Sequence, residues 1–480
     1  MVMKDSIQFV LDGQVVDVAF DSRSQWMPTT TVLNYLRSLP HHRGVKEGCA
    51  EGDCGACTVV IGELRAGKKI EYKAVDSCLM FLPMLHGKQL ITVENLKGPS
   101  GQLHPVQQAL VDTHGSQCGF CTPGIVMTLF ALYKSNTKLT RDEISDALVG
   151  NLCRCTGYRP ILDAAAIACG GDRKDQFGRD EAHVVSLLES ISHERVSIST
   201  EKQRYDQPVT LEECLVLREQ YPAAILINGA TDVALRVTKK SETLPHIVDC
   251  CRINELREVS RESQTLTLGA GLQMNEVVKI VKDDFPAFHQ MLTVFGAQQI
   301  RNLATLGGNI GTASPVGDTL PVLIAYSANI ILKSRRGTRA VAADAFVKGY
   351  RTTECRPDEL ITAIVLPKPS AGARVRAYKV SKRRDLDIAA VSGAFRLDLD
   401  AKGIVNDIIL TYGGMAAQTK RSVAAEAFLK GKPWDRRHVE EAQRFVDTDF
   451  NPISDVRGSA EFRRIAARNL LLKFWSDTSH

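Results

Sequence analysis

Residues 48–57 read GCAEGDCGAC, and this stretch decides how the first part of the chain folds. Its cysteines, Cys49, Cys54 and Cys57, are separated by four and two residues, and Cys78 follows further along the chain. Thiolates gathered on one loop concentrate negative charge, so backbone N–H groups must turn inward to stabilise it. The three glycines of the stretch supply the left-handed backbone that such a turn requires. The stretch therefore predicts a thiolate loop wrapped around a metal centre.

Four further cysteines form a second group with short spacings, Cys118-x2-Cys121 followed by Cys153-x-Cys155. Cys121 directly precedes Thr122-Pro123, which predicts a helix with Thr122 as its N-cap and proline at its first position. The partial positive charge of a helix N-terminus favours nearby thiolates. On its own, this spacing fits either a zinc site or an iron–sulfur cluster.

The first group separates these two kinds of metal site. Its spacing of four and then two residues is the one found in plant-type [2Fe–2S] ferredoxins. Structural zinc sites usually repeat closely spaced cysteine pairs instead. We therefore expect an iron–sulfur cluster at the first group and, by association, a second one at the other group. A zinc-stabilised scaffold without redox chemistry is the alternative.

The composition is that of an ordinary globular protein with several domains. The 480 residues are 44% hydrophobic and 24% charged, and the net charge of +5 gives no case for nucleic-acid binding. No signal peptide and no long apolar run is visible, so we expect a cytoplasmic protein without a membrane helix. Thirteen cysteines in that setting argue against disulfides. The five outside the two groups are expected to be small buried side chains: Cys169, Cys214, Cys250, Cys251 and Cys355.

Periodicity predicts two small domains around the cysteines. Alternating apolar residues on both sides of Asp12-Gly13 predict a β-hairpin, and a helix over 29–39 and a strand over 58–61 complete a β-grasp domain at 1–96. Four short helices are predicted over 97–169, one opened by the capping box of Thr140 and Glu143 and the last starting near Arg159. Residues 170–206 are predicted to be a linker with one short helix near 184–191 and an irregular stretch after it.

The remaining chain predicts two α+β domains, at 207–370 and 371–480. Apolar strands are expected at 224–227 and 327–332, and strands at 389–397 and 404–411 are expected to precede helices. Two glycine-bearing turns, at 225–232 and 305–315, could bring backbone N–H groups to a pyrophosphate, but composition alone favours ordinary turns of an α/β domain. Neither a G-x-G-x-x-G dinucleotide motif nor a P-loop is present.

Three motifs carry a resemblance to a known family. They are KEGCAEGDCGAC at 46–57, QCGFCTPG at 117–124 and NLCRCTGYRP at 151–160. With them, the whole chain resembles the iron–sulfur/FAD subunits of bacterial xanthine dehydrogenases, in the xanthine oxidase family of molybdenum hydroxylases. The fold so implied is a multidomain α+β chain: a β-grasp [2Fe–2S] ferredoxin-like domain, a four-helix [2Fe–2S] domain, an α+β FAD-binding domain of the molybdenum hydroxylase type and a C-terminal α+β flavoprotein domain.

The resemblance also implies the roles of individual residues. Two [2Fe–2S] clusters would be bound by Cys49, Cys54, Cys57 and Cys78, and by Cys118, Cys121, Cys153 and Cys155. Gln117 would contact the pterin of a molybdenum cofactor on a neighbouring domain. FAD would be bound by Leu226, Ile227, Asn228, Gly229, Ala230, Thr231, Asp232, Val233, Phe295, Thr305, Leu306, Gly307, Gly308, Asn309, Thr312, Asp318, Ile361 and Lys379. Asn228 departs from the family pattern, in which many members have a second glycine, and its side chain is expected to crowd the turn.

The implied activity is electron transfer. Electrons from purine hydroxylation, of hypoxanthine to xanthine and of xanthine to urate, would pass through both clusters to FAD and then to NAD. These 480 residues leave no room for a molybdenum domain, so we expect it on a large partner subunit, in a heterotetramer of two small and two large subunits. A loop with the basic run Lys382–Arg384 would flank the flavin and influence NAD access. The alternative substrate classes are aldehydes, carbon monoxide and aromatic compounds.

Overall fold

The computed structural model describes residues 5–65, 67–98, 100–135 and 138–479. Its strands are, in chain order, β1 Ser6–Leu11, β2 Gln14–Ala19, β3 Thr58–Arg65, β4 Lys69–Asp76, β5 Gln89–Ile91, β6 Val196–Ser199, β7 Arg204–Gln207, β8 Ile225–Ile227, β9 His246–Asp249, β10 Val259–Arg261, β11 Thr265–Gly269, β12 Asn329–Ser334, β13 Gly337–Ala342, β14 Val347–Gly349, β15 Thr352–Thr353, β16 Leu360–Pro367, β17 Arg374–Val380, β18 Val391–Leu399, β19 Val405–Gly413 and β20 Lys420–Arg421.

Its helices are, in chain order, α1 Val32–Ser38, α2 Pro105–Asp112, α3 Thr122–Lys134, α4 Arg141–Leu148, α5 Arg159–Gly170, α6 Gln176–Arg179, α7 Glu181–Ser190, α8 Leu211–Gln220, α9 Ala234–Thr238, α10 Met274–Ile280, α11 Pro286–Thr293, α12 Gln298–Arg301, α13 Leu306–Thr312, α14 Thr319–Ala325, α15 Ala343–Phe346, α16 Val423–Leu429, α17 Arg436–Asp449 and α18 Ala460–Ser476. Within the described residues, none of these helices combines the length and the apolar character needed to cross a bilayer.

The chain divides into two compact units that do not follow the linear order of the sequence. The first unit contains Met1–Thr210, Ala223–Arg252 and Ala297–Ala304. The second contains Leu211–Pro222, Ile253–Gly296 and Thr305–His480. The mixed α+β fold class predicted from the sequence is confirmed.

The N-terminal part of the first unit is a β-grasp sheet. Its strand order is β2-β1-β5-β3-β4, in which β1 runs parallel to β5 and antiparallel to β2. The predicted hairpin is confirmed, because Leu11 pairs with Gln14 and both turn residues, Asp12 and Gly13, have positive φ. Helix α1 buries one apolar face under this sheet, and its N-cap Thr31 accepts a hydrogen bond from the backbone N–H of Asn34.

Helices α2–α5 form the predicted all-helical part that carries the second cysteine group. The capping box is confirmed, since the Thr140 hydroxyl accepts from the N–H of Glu143 and the Glu143 carboxylate accepts from the N–H of Thr140. The N-cap predicted for α3 was wrong: Cys121 occupies that position. The Thr122 hydroxyl instead shares a 2.7 Å hydrogen bond with Ser116, so it is engaged outside the helix.

The segment predicted to be largely irregular contains regular structure. Helix α7 buries Val184, Val185 and Leu188 against Val10 and Ile70 of the β-grasp sheet. The expectation of an irregular stretch after it was wrong, because β6 and β7 lie there and enter the sheet β6-β7-β9-β8. That sheet shares one apolar core with the β-grasp sheet, so these two sheets form one continuous packing arrangement.

The second unit has two main sheets. One has the strand order β10-β11-β16-β12-β13, and the other is the antiparallel sheet β17-β18-β19-β20. The strands expected at 327–332, 389–397 and 404–411 are confirmed as β12, β18 and β19, each displaced by one or two residues. Helices α17 and α18 follow and cover β18 and β19 with a shared apolar core, as the sequence predicted for the last part of the chain.

Candidate functional site

The first cysteine group brings its four sulfur atoms together in pairs. Cys49, Cys54 and Cys57 lie on the loop before β3, and Cys78 follows the end of β4. The Sγ atoms of Cys57 and Cys78 are 3.4 Å apart, and the side chains of Cys49 and Cys54 are hydrogen-bonded to each other. A disulfide bond would be about 2.05 Å long, whereas two thiolates on one tetrahedral metal with bonds of about 2.3 Å lie about 3.8 Å apart. All thirteen cysteines are free thiols.

The backbone of this loop is arranged to stabilise thiolates. The Sγ atom of Cys49 accepts hydrogen bonds from the N–H groups of Glu51 at 3.4 Å and Asp53 at 3.3 Å. Ala50, Gly52 and Gly55 all have positive φ, which turns successive N–H groups inward. The hydrogen bond from Cys54, assisted by these N–H groups, lowers the pKa of Cys49 to about 5 against the effect of burial. The loop therefore has the anion-stabilising form that the glycines predicted.

The second cysteine group is also paired, and it is more exposed. Hydrogen bonds join the side chains of Cys118 and Cys155, and those of Cys121 and Cys153. The backbone N–H of Phe120 lowers the pKa of Cys118, and the side chain of Cys155 adds to this effect. Cys118 and Cys155 are exposed, Cys121 is half-buried and Cys153 is buried. One pair therefore faces solvent while the other faces the interior.

The pairing of the sulfur atoms distinguishes between a zinc site and an iron–sulfur cluster, the two alternatives that the sequence left open for the second group. A tetrahedral zinc site needs its four ligands grouped around one point, whereas each cysteine group is arranged as two hydrogen-bonded pairs. In a [2Fe–2S] cluster with four cysteines, two thiolates bind each iron. Two adjacent sulfur pairs per group are the arrangement that such a dinuclear cluster requires. The donor set therefore fits [2Fe–2S] clusters better than zinc.

A buried carboxylate lies beside the first group, and the sequence did not single it out. Asp76 is fully buried at the end of β4, and its Oδ1 is 3.7 Å from the Sγ of Cys57 and 3.5 Å from the Oγ1 of Thr58. Its Oδ2 has no protein partner. Burial raises the pKa of Asp76 to about 8, and the nearby Cys49 adds to this. An aspartate that ends a strand directly after Ala74 and Val75 and precedes a candidate ligand by two residues is the signal that could have found it.

A buried polar network connects the two cysteine groups, which the sequence also did not reveal. The Nδ2 of Asn151 donates to the carbonyl oxygen of Gly55 at 3.1 Å, and its Oδ1 accepts from the Oγ1 of Thr128 at 2.6 Å. The Nε2 of Gln299 donates to the same Oδ1 at 2.9 Å. Asn151, Thr128 and Gln299 are each at most 1% exposed. The loop of the first group is thus anchored to the helices of the second.

The surface around the exposed cysteine pair is partly apolar. Phe120, Leu152 and Tyr158 are 47%, 39% and 37% exposed. Gln117, which precedes Cys118, is exposed on the same loop. Apolar side chains that remain exposed beside polar ones are typical of surfaces that other proteins cover.

The flavin residues expected at 226–233 form a tight turn in the first unit. Strand β8 ends at Ile227, and Ala230 takes a positive φ of 60° before α9 begins. A Cβ atom on Gly229 would lie 1.7 Å from the carbonyl oxygen of Leu303, so only glycine fits there. Asn228 does not have positive φ, and its Nδ2 points to the carbonyl oxygen of Cys250 at 3.5 Å. The turn therefore accommodates the asparagine that departs from the family pattern.

The other flavin residues lie in the second unit, and the loop expected at 305–315 was wrong in its first half. Residues Leu306–Thr312 form α13, and the Oγ1 of its N-cap Thr305 accepts from the N–H of Gly308 at 3.3 Å. Gly311 on this helix faces Ile361, whose Cδ1 is 3.5 Å from the position of a Cβ. The Oδ1 of Asn309 accepts from the hydroxyl of Thr319 at 2.6 Å. The structure thus brings α13 and Ile361 together.

Lys379, Asp318 and the backbone of Val294 also meet in the second unit. The Nζ of Lys379 donates to the Oδ2 of Asp318 at 2.7 Å and to the carbonyl oxygen of Val294 at 2.8 Å, next to Phe295. Burial raises the pKa of Asp318, and the charge of Lys379 opposes this shift. The Oδ1 of Asp318 is buried without a protein partner, so this acceptor is available to a donor group of a ligand. The residues here fit a polar cofactor.

The basic loop after β17 is held by its own side chains. Arg383 donates to Asp387 at 2.7 Å, and the Nζ of Lys382 donates to the carbonyl oxygen of Val456 at 3.0 Å. Among the other cysteines, Cys169, Cys214 and Cys250 are buried as expected. Cys251 and Cys355 are only half-buried, which corrects that expectation: the Sγ of Cys251 donates to Asp249 at 3.3 Å and that of Cys355 donates to the carbonyl oxygen of Glu359 at 3.7 Å.

Three family profiles match consecutive parts of the chain. Residues 92–166 match a [2Fe-2S] binding domain, residues 199–369 match the FAD binding domain in molybdopterin dehydrogenase, and residues 376–478 match the CO dehydrogenase flavoprotein C-terminal domain. The chain therefore contains iron–sulfur and FAD-binding domains in that order.

Two curated relatives match almost the whole chain. Xanthine dehydrogenase of Emericella nidulans is 33% identical over 98% of this chain and 38% of its own length. Xanthine dehydrogenase/oxidase of Gallus gallus is 32% identical over 98% of this chain and 40% of its own length. This chain thus spans about two fifths of the length of these relatives.

Solved structures match a smaller part. Carbon monoxide dehydrogenase from Hydrogenophaga pseudoflava, in a form that lacks the Mo-pyranopterin moiety of the molybdenum cofactor, is 26% identical with a TM-score of 0.54. The match covers 57% of this chain and 96% of that chain. A chain of quinoline 2-oxidoreductase from Pseudomonas putida 86 has the same fold, with a TM-score of 0.52 at 23% identity, over 57% of this chain and 95% of that chain.

Proposed function

Because this chain belongs to the molybdenum hydroxylase family, as its iron–sulfur and FAD-binding domains and its xanthine dehydrogenase relatives establish, we propose that it is the electron-transfer subunit of a xanthine dehydrogenase. The observation that carries the proposal is the extent of similarity. Xanthine dehydrogenases match 98% of the chain, including both cysteine groups and both flavin-related segments in one continuous order.

The cysteine pairs support the proposed metal ligands. Cys49 with Cys54, and Cys57 with Cys78, would each hold one iron of the first [2Fe–2S] cluster. Cys118 with Cys155, and Cys121 with Cys153, would do the same in the second. When bound, the clusters would carry single electrons, and FAD would combine two of them for the two-electron chemistry of NAD. The chain itself fixes both cluster loops against one another through the Asn151 network.

The flavin assignment has separate support within each unit. In the first, the turn at 226–233 is kept narrow by Gly229. In the second, the buried Oδ1 of Asp318 offers a hydrogen-bond acceptor, and Lys379 holds this carboxylate in place. Thr305–Asn309, Thr312, Phe295 and Ile361 complete the proposed FAD residues.

A molybdenum-binding large subunit is the proposed partner. It would cover the apolar surface of Phe120, Leu152 and Tyr158 beside the exposed pair Cys118 and Cys155. Gln117 on the same loop would contact its pterin, and the purine would be hydroxylated there. A heterotetramer of two small and two large subunits in the cytoplasm, where reduced thiols persist, is the assembly we propose.

NAD is the proposed electron acceptor. The basic run Lys382–Arg384 follows β17, the strand that carries Lys379. Exposed cations attract the phosphates of a dinucleotide from solution. The position of these cations on a loop held by the Arg383–Asp387 ion pair supports a role in the approach of NAD.

The alternative is the same electron-transfer role with another substrate, such as an aldehyde or an aromatic compound. Chains of carbon monoxide dehydrogenase and quinoline 2-oxidoreductase share the fold of the flavin part. Each of them covers only 57% of this chain, whereas the xanthine dehydrogenases match its full extent. The continuous arrangement therefore favours purines over the other substrates.

The proposal is tested by purifying the chain alone and together with its partner. Alone, it should contain four irons and one FAD per chain, with NADH-dependent dye reduction and no turnover of xanthine. With the molybdenum subunit, xanthine should reduce NAD. Xanthine oxidation by the isolated chain, or a colourless protein that contains zinc, would contradict the proposal. Turnover of quinoline or an aldehyde in place of xanthine would establish the alternative.

A further inference from the structure

Lys239 reaches the loop that carries the first cysteine group. Its Nζ donates a 3.0 Å hydrogen bond to the carbonyl oxygen of Cys49, and it lies 3.3 Å from the Oε2 of Glu51. Lys239 is the C-cap of α9, the helix that follows the proposed FAD turn at 226–233. The segment that begins at the flavin turn therefore ends, within the first unit, against the loop proposed to hold a cluster.

The loop that Lys239 contacts is rich in negative charge. Besides its three cysteines it contains Glu51 and Asp53, and Glu47 precedes it directly. The Oε2 of Glu51 is close enough to Lys239 to form an ion pair, so the carboxylate and the Cys49 carbonyl share one ammonium group. A positive charge at this point opposes the accumulation of negative charge on the loop.

We propose that the positive charge of Lys239 raises the reduction potential of the first cluster. The inference rests on the proposed function, because it requires a [2Fe–2S] cluster at Cys49, Cys54, Cys57 and Cys78. Reduction adds one electron to a centre that is already negative, so a neighbouring cation stabilises the reduced form more than the oxidised form. The hydrogen bond to the backbone of a ligand residue holds that cation in place.

Solvent limits the size of this effect. The side chains of Lys239 and Glu51 are 45% and 44% exposed. Ion pairs that are this exposed contribute little to folding stability. A purely structural role of Lys239 would therefore have little effect outside the loop. An electrostatic effect on the cluster should instead weaken as the ionic strength rises.

The test is a potentiometric titration of the intact chain, with both clusters and FAD, followed by electron paramagnetic resonance. Lys239→Met should lower the midpoint of one cluster and leave the other unchanged. We expect the ratio of reduced to oxidised cluster at a fixed potential to fall about threefold. This corresponds to a midpoint lower by about 28 mV, because a tenfold change in the ratio is about 59 mV for a one-electron couple. Lys239→Arg should keep the wild-type midpoint. Glu51→Gln should raise the midpoint, the opposite of the shift in Lys239→Met.

Lys240→Met is the matched control. Lys240 is the next residue, its side chain is 69% exposed, and its ion-pair partner is Glu242 at 4.0 Å. The inference is overturned if the two lysine variants shift the midpoint equally, or if Lys239→Met and Glu51→Gln shift it in the same direction. A wild-type chain without two [2Fe–2S] signals would overturn the proposed function itself. Two intact signals with an unchanged midpoint in Lys239→Met would overturn only the role of Lys239.

Discussion

The backbone N–H of Leu152 donates a 3.0 Å hydrogen bond to the carbonyl oxygen of Cys54. Cys54 belongs to the first cysteine group, and Leu152 directly precedes Cys153 of the second. Close by, a Cβ atom on Gly124 would lie 2.1 Å from the carbonyl oxygen of Gly55, so the two main chains touch without a side chain between them. The two proposed clusters are thus held by loops that contact each other directly.

Replacement of Asn151 by leucine should destabilise the junction between the two loops. The variant keeps the size of the side chain but removes the hydrogen bond to the Gly55 carbonyl, which retains the Thr58 hydroxyl as a donor, and leaves the Thr128 hydroxyl without its acceptor. A lost hydrogen bond costs about 0.5–1.5 kcal/mol, and a buried donor left without an acceptor costs about 1–3 kcal/mol. We expect the free energy of unfolding of the first unit to fall by about 3 kcal/mol, measured by urea denaturation with circular dichroism.

The control for this variant is Asn469→Leu on α18, where the asparagine is exposed. Substitutions at exposed positions usually change stability by less than about 0.5 kcal/mol. Equal losses in the two variants would show that the buried network does not stabilise the junction.

Replacement of Gly229 by alanine should weaken FAD binding. The added Cβ would meet the backbone of Leu303 at 1.7 Å, and a backbone atom cannot move aside as a flexible side chain can. The turn must then shift, at a cost of about 1–3 kcal/mol. We expect the ratio of flavin to protein to fall while the iron content stays unchanged, measured by absorbance and metal analysis.

Gly372→Ala serves as the comparison, because nothing lies within 4 Å of the Cβ position there and its φ is not positive. It should bind FAD as the wild type does. A Gly229→Ala protein with full flavin content would refute the proposed role of this turn.

Replacement of Lys379 by methionine should make stability depend more strongly on pH. Burial raises the pKa of Asp318, and Lys379 opposes that shift, so the variant raises this pKa further. A carboxyl whose folded-state pKa is raised contributes most to stability below its unfolded pKa, and this contribution is lost as the pH rises. The variant should therefore be close to wild type below about pH 4 and increasingly less stable above it, by about 3 kcal/mol once the carboxylate must ionise.

The matched variant is Lys379→Met combined with Asp318→Asn. An amide cannot ionise, so the double variant should lose most of the pH dependence although it also lacks the ammonium group. Stability curves from urea denaturation at several pH values decide the matter. A loss in Lys379→Met that does not change with pH would show that the ion pair with Asp318 is not its cause.

Local structure was predicted well from the sequence. The hairpin at Asp12-Gly13 and the capping box of Thr140 and Glu143 are confirmed because their backbone conformation depends on a few adjacent residues. Predictions failed where distant parts of the chain decide. The turn at 305–315 starts as α13 although it contains Gly307 and Gly308, residues that disfavour helices, because Gly307 packs closely on Ala270.

Strands β6 and β7 show the same limit. Their short sequences carry weak signals, and β7 is a strand because it pairs in parallel with β9, about forty residues further along the chain. The cap of α3 was misassigned for a related reason. Thr122 is an excellent N-cap residue in isolation, but its hydroxyl has Ser116 as its partner in the folded chain.

The sequence by itself predicted two groups of four metal-binding sulfurs, since ligands on one loop are brought together by the chain's own short connections, and its three cysteine-containing motifs indicated the family. Tertiary structure decided which sulfurs pair and that Asp76, Asn151 and Lys239 surround them. Lys239 is remote from the cysteines in the sequence, and Asp76 and Asn151 lie two residues before a cysteine without a local pattern that predicts their contacts. Contacts of that kind arise from the packing of whole elements, which no local pattern encodes.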